Sequence, residues 1–309
     1  MKRIMDFTRR ATWRFALRCA MAASMAAAFF FRYLSAPTAL GEGTALGEAA
    51  GDATHKRTPA GIETQGNTPL STQEGALLQI ADNDDAALRA ARAGQILARP
   101  TKVNQAARRG LLRLGLGTMR DGLLYVPAAY HVNRPAPLVL SLHGAGGDAR
   151  QGLRLMQQHA DRLGFILLAV ESRRSTWDVL MGGYGPDVEF INRALARTFG
   201  QYAIDESRVA IAGFSDGASY ALSVGITNGD LFKRIVAFSP GFTAPAAQRG
   251  KPPIFVSHGT RDKILPIDKC SRRIVPQLQH GGYAVRYREF DGPHTLPKDI
   301  SREAADWLF

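Results

Sequence analysis

Residues 209–217 read Val209-Ala210-Ile211-Ala212-Gly213-Phe214-Ser215-Asp216-Gly217, and the chain continues as ASYALSVGIT to residue 227. Small and branched apolar residues before Gly213 read as a buried strand, and the spacing after Gly217 reads as a helix. Ser215 therefore sits on a strand-to-helix turn. A strained turn of this kind points the hydroxyl clear of the sheet, and glycines two residues to either side remove side chains that would crowd it. The helix N-terminus behind Ser215 adds positive partial charge where an oxyanion would develop. In this setting the G-x-S-x-G pattern marks Ser215 as a candidate nucleophile. The plainer alternative is a glycine-rich turn with a capping serine.

Working outward, strand and helix patterns alternate. Leu123–Val126, Pro137–Leu142, Phe165–Val170, Val209–Gly213, Arg234–Phe238, Ile254–Ser257 and Tyr283–Phe290 read as strands. Asp148–Leu163, Asp187–Phe199, Gly217–Thr227, Lys269–His280 and Pro297–Phe309 read as helices, with Asp187 expected to cap the second and Asp268 the fourth. Continuous apolar strands between amphipathic helices predict an α/β domain with a mostly parallel central sheet covered on both faces. Only about fifteen residues separate Phe238 from Ile254, too few for a cap domain.

Leu138–Leu142 runs into His143-Gly144-Ala145-Gly146-Gly147. Such a loop bares backbone N–H groups at the sheet's C-terminal edge, where they can face a carbonyl oxygen turning negative. Ala145 and Asp216 are the expected donors and Gly146 the next candidate. His143 is expected to shape the loop. A serine nucleophile needs a base within reach and a carboxylate to orient the base. His258, His280 and His294 follow Ser215. His294, in a loop between the last strand and the last helix, is the expected base. His280 is expected to serve a helix C-terminus. Asp262, in the loop after Ile254–Ser257, is the expected acid, and Asp268 and Asp291 are its competitors. Phe214, Trp177, Phe242 and Leu265 are candidates for an acyl pocket, with Met181, Tyr184 and Leu296 beside them, though core packing explains such residues equally well.

With these motifs assembled, residues 120–309 resemble esterases of the α/β-hydrolase fold. The phospholipase/carboxylesterase group, which includes acyl-protein thioesterases, is similar, as is the polyhydroxybutyrate depolymerase/feruloyl esterase group. Leu142–Gly147, Gly213–Gly217, His258–Asp262 and Gly292–His294 carry the resemblance. It implies a cofactor-free mechanism, with no metal, in which Ser215, His294 and Asp262 cleave acyl esters or thioesters through an acyl-enzyme. Asp216 departs from the thioesterase pattern, where glutamine is usual. A serine peptidase of the same fold and a catalytically inactive binding protein are the competing readings. The added propeller or cap of prolyl-peptidase relatives does not fit in residues 1–120.

The chain has 309 residues and a formal net charge of +12. It has no run of basic residues interleaved with aromatics, so nucleic acid is not an expected partner. A small-molecule or acyl ester substrate is expected, and the positive balance is compatible with weak association at an anionic membrane surface. Lys2, Arg3, Arg9, Arg10, Arg14 and Arg18 precede the apolar run Cys19–Phe31, which is too short to span a bilayer comfortably. Residues 1–35 are therefore expected to be an export signal or N-terminal anchor, placing the protein in the periplasm or outside the cell. Residues 36–75, rich in Gly, Ala, Thr, Pro and Glu, are expected to be a disordered linker. Residues 76–100 are expected to be a helical extension and residues 101–309 the catalytic domain. Cys270 would be the one cysteine left after cleavage, so no intrachain disulfide is expected.

Overall fold

A computed structural model describes residues 85–104 and 107–309. The expected export signal, the linker and residues 76–84 of the helical extension lie outside the described residues. Helix α1 covers residues 85–92. Eight strands follow in one sheet: β1 (Gly110–Arg113), β2 (Gly122–Val126), β3 (Ala136–Leu142), β4 (Ile166–Val170), β5 (Ile204–Phe214), β6 (Arg234–Phe238), β7 (Ile254–Gly259) and β8 (Val285–Phe290). Their spatial order is β1-β2-β4-β3-β5-β6-β7-β8. β2 is antiparallel to β1 and β4, and every pair from β4 through β8 is parallel. β1 was not expected: its four residues alternate half-buried and exposed, too short and too weak a signal to separate from the glycine-punctuated loop after it.

β3, β4 and β7 are buried along their whole length, as strands must be when both faces are covered. On one face Leu138, Leu140, Ile211, Leu222, Ile235 and Val256 share a core with helices α4 (Pro186–Gln201) and α5 (Asp216–Thr227). On the other, Val139, Phe165, Leu167, Val236 and Phe255 pack with α2 (Ala149–Arg154) and α7 (Lys298–Leu308). Period-two alternation along each strand sends neighbouring residues to opposite cores. Between β6 and β7, residues 239–253 form turns and irregular chain without a helix or strand, so no cap domain covers the sheet there.

The expected helix 148–163 is two helices, α2 and α3 (Gln157–Leu163). The break lets Met156 bury completely, and the Leu155 carbonyl accepts instead from Ser301 Oγ at 2.6 Å. Asp148 does cap α2, accepting from Gln151 N at 2.8 Å. Two expected caps are corrected. Asp187 lies inside α4, which begins at Pro186 with its fixed φ, and its carboxylate reaches back to the Arg173 and Asp178 N–H groups. Asp268 lies in a 3-10 turn before α6 (Ser271–His280) and pairs with Arg272 at 2.8 Å.

Candidate active site

β5 ends at Phe214, and Ser215 takes φ 57° and ψ −120°, a conformation rarely open to a side-chain-bearing residue. The glycines explain how the turn closes. A Cβ on Gly213 would lie 2.1 Å from the Gly217 carbonyl oxygen, and one on Gly217 would lie 2.4 Å from the carbonyl oxygens of both Leu142 and His143. α5 is thus pressed against the end of β3. The Ser215 N–H is held by the Phe238 carbonyl at 2.9 Å.

The structure brings together the three side chains singled out from the sequence. Ser215 Oγ lies 2.8 Å from His294 Nε2, and His294 Nδ1 lies 2.5 Å from Asp262 Oδ2. His294 hangs from the loop after β8, while Asp262 sits three residues beyond β7. Gly259 and Gly292 let those two loops touch: a Cβ on Gly259 would meet the Gly292 carbonyl oxygen at 2.4 Å. Asp262 is sealed from water, with 5% exposure. Burial alone would raise its pKa. Hydrogen bonds from His258, His294 and the Leu265 N–H outweigh that and hold it well below the usual carboxylate range. It is therefore an anion wherever the histidine is neutral, which is what an orienting carboxylate requires.

The competitors fall elsewhere. Asp291 is exposed and pairs with Arg261 at 2.9 Å. His280 Nδ1 donates to the Pro276 carbonyl at 3.0 Å in the last turns of α6. His258 is wholly buried behind Asp262: Nε2 donates to the Leu265 carbonyl at 2.8 Å, lies 3.2 Å from Asp262 Oδ2, and Nδ1 accepts from Ser271 Oγ at 2.7 Å.

His143 shapes the neighbouring loop. The Ser172 N–H donates to Nε2 at 3.0 Å, so Nδ1 carries the proton and donates to the Gly144 carbonyl at 2.7 Å. Burial lowers its pKa and keeps the ring neutral. Of the three expected oxyanion donors, Gly146 is corrected: its N–H goes to the Ser175 carbonyl at 2.6 Å. No acceptor takes the Ala145 or Asp216 N–H among the described residues.

Trp177 is also corrected as a pocket residue. It has no exposure, donates from Nε1 to the His143 carbonyl at 3.0 Å and stacks on Tyr220 at 5.0 Å. Phe214 is half-buried with its ring 4.8 Å from that of His294. Phe242 and Leu265 are each 8% exposed. Ser175 and Thr176 were missed. They lie in a polar stretch without periodicity or motif, yet Ser175 anchors Gly146 and Thr176 Oγ1 donates to Asp216 Oδ2 at 2.7 Å. Among the described residues, no three His, Cys, Asp or Glu side chains gather in a way that could hold a metal ion.

Comparison with solved structures shows the same overall fold. The chain aligns with a crystallised esterase, PE8, at TM-score 0.52 and 24% identity, over 62% of this chain and 98% of that one. It aligns with the S-formylglutathione hydrolase of Staphylococcus aureus at TM-score 0.54 and 13% identity, over 65% and 99%. The chain has the α/β-hydrolase fold. Within it, residues 188–295 match the phospholipase/carboxylesterase family model, the group the sequence motifs resemble. A bifunctional acetylxylan esterase/xylanase of Neocallimastix patriciarum is 32% identical over 158 residues, 48% of this chain and 22% of that protein. A probable feruloyl esterase C of Aspergillus flavus is 26% identical over 161 residues, 48% and 57%. The chain thus spans less than two thirds of the curated relatives it matches. Among the described residues of this α/β-hydrolase fold, no helix is long and apolar enough to cross a membrane.

Proposed function

We propose that the protein is a serine hydrolase that cleaves carboxylic ester or thioester bonds through an acyl-enzyme. One observation carries the reading: a serine hydroxyl, an imidazole and a buried carboxylate stand in hydrogen-bonded series at the C-terminal edge of a parallel sheet. The names of the esterase relatives support the same bond class.

In this reading Ser215 Oγ attacks the acyl carbonyl as its proton passes to His294 Nε2. Asp262 keeps the proton-bearing Nδ1 turned inward and stabilises the imidazolium. The Ala145 and Asp216 N–H groups receive the oxyanion; losing one such donor costs about 10²–10³ in rate. His294 returns its proton to the leaving oxygen or sulfur as the C–O or C–S bond breaks. Water then attacks the acyl-enzyme by the same steps in reverse roles. The Phe214 ring lies 4.8 Å from that of His294, and Phe214, Phe242 and Leu265 would meet the acyl group.

The test is a panel of 4-nitrophenyl esters of graded chain length, with a fluorophosphonate probe. Turnover and labelling of Ser215 are expected, and Ser215→Ala should lose about 10⁴-fold or more in kcat while still folding. Absence of both turnover and labelling would leave a binding protein, and turnover confined to aminoacyl anilides would indicate a peptidase. We further propose that residues 1–35 direct export and that the positive surface gives weak membrane-surface association. Cell fractionation of chains with and without residues 1–35 tests the first, and sedimentation with anionic vesicles the second.

A further inference from the structure

Asp216 is almost sealed in the protein, at 8% exposure. Its Oδ2 accepts from Thr176 Oγ1, while Oδ1 has no partner among the described residues. The side-chain polar atoms both closed to solvent and unpartnered are Arg173 Nε, Ser239 Oγ, Thr243 Oγ1, Ser257 Oγ and Tyr283 OH. Asp216 Oδ1 is not among them, so it is the oxygen through which this carboxylate reaches solvent. It belongs to the residue whose N–H faces the proposed oxyanion, so covalent geometry keeps it beside the reacting carbonyl. Asp216 is in no ion pair with a lysine or arginine among the described residues. Burial raises the Asp216 pKa, while the Thr176 hydroxyl and the nearby His294 ring oppose that rise; a carboxylate oxygen left bare at a nucleophile's side is costly unless something completes its hydrogen bonding.

The leaving group must face His294, which returns the proton to it. Asp216 lies within electrostatic reach of that ring, and the group that meets its uncovered oxygen, on the Thr176 side, is assigned to the acyl half of the substrate. Resting on the esterase reading above, we propose that the Asp216 carboxylate determines acyl specificity: it accepts a hydrogen bond from a donor group on the acyl chain and turns away acyl chains carrying an anion. A substrate donor completes the half-covered carboxylate. A substrate carboxylate meets like charge in a site where substrate has displaced the screening water.

Three 4-nitrophenyl esters of nearly equal shape test this: the succinamate (a neutral donor), the 4-oxopentanoate (an acceptor only) and the hemisuccinate (an anion), each with its uncatalysed rate subtracted. Wild-type kcat/KM is expected to fall in that order, with the hemisuccinate at least about tenfold below the 4-oxopentanoate. Asp216→Asn should reduce that last ratio to within about threefold. Comparing esters within one variant cancels any damage to the shared oxyanion donor. Wild-type values within about threefold of one another overturn the proposal, whatever the variant does. If the wild type turns over 4-nitrophenyl acetate yet shows no discrimination, only this inference fails. If it turns over no ester and the fluorophosphonate leaves Ser215 unlabelled, the esterase reading falls and takes this one with it.

Discussion

Asp262 and Asp187 are both buried carboxylates, and their surroundings push them in opposite directions. Asp262 receives two histidine and two backbone N–H contacts on its two oxygens, which keeps it charged. Asp187 receives two backbone N–H groups, but burial and then the nearby Asp178 push its pKa from 3.8 up to about 6. Between those two values the folded chain holds a proton that the unfolded chain releases. The stabilising contribution of Asp187 is therefore full below 3.8 and lost as pH rises through about 6. Asp262, depressed when folded, contributes above its ordinary 3.8 and loses that only on acidification below it, so it does not blur the window. Melting temperatures from pH 4 to 7 should decline more steeply in wild type than in Asp187→Asn; parallel curves would sink the assignment. Both carboxylates are visible in the sequence as aspartates, but their protonation is not, because it depends on burial and on groups that only the folded loops bring against them.

The turn from β5 into α5 shows how an element is constrained by its neighbours. Alanine is normally the better helix residue by up to about 1 kcal/mol, so Gly217→Ala would stabilise an isolated helix. Here the added Cβ meets two backbone carbonyls at the end of β3, and backbone cannot swing aside as a side chain can. We expect a loss near the upper end of the roughly 1–3 kcal/mol range for overpacking, read as a lower urea midpoint with unchanged m-value. Esterase turnover should fall with it, since the elbow carries Ser215. An unchanged or raised midpoint would show that α5 can shift at no cost. The glycine pattern was legible from residue types alone. The split of α2 from α3 was not, since the Leu155 carbonyl at the break is met by a hydroxyl on α7, far along the chain.

At the level of the molecule, the segment ahead of the sheet is bound into the main core. Ile96 is fully buried, and its N–H donates to Asn228 Oδ1 at 2.8 Å. Asn228 Nδ2 donates to the Gly94 carbonyl at 2.8 Å and the Val224 carbonyl at 2.9 Å. Asn228→Ala would strand buried backbone groups, costing about 2 kcal/mol or more. Limited proteolysis should then cut near residues 94–98 first; simultaneous loss of the whole domain would argue against local release. The uncapped sheet edge bears on kinetics. With no cap to move, hydrolysis of short esters should rise smoothly with concentration through the solubility limit. A jump in rate at the limit would point to a closure that the described residues do not contain.

Residue order along this chain was enough for the α/β class and the strands from β2 to β8, and it singled out Ser215, Asp262 and His294 as candidates that folding brings into contact. These rest on local regularities: apolar runs, glycine spacing and the position of each motif after a strand. Distances between the three side chains, the commitment of the Gly146 N–H to Ser175, the burial of Trp177 and the half-open Asp216 carboxylate came from folding. Each depends on which loops become neighbours once crossovers reorder the strands, and a hydrogen bond between residues far apart in the chain leaves no periodic trace in either segment.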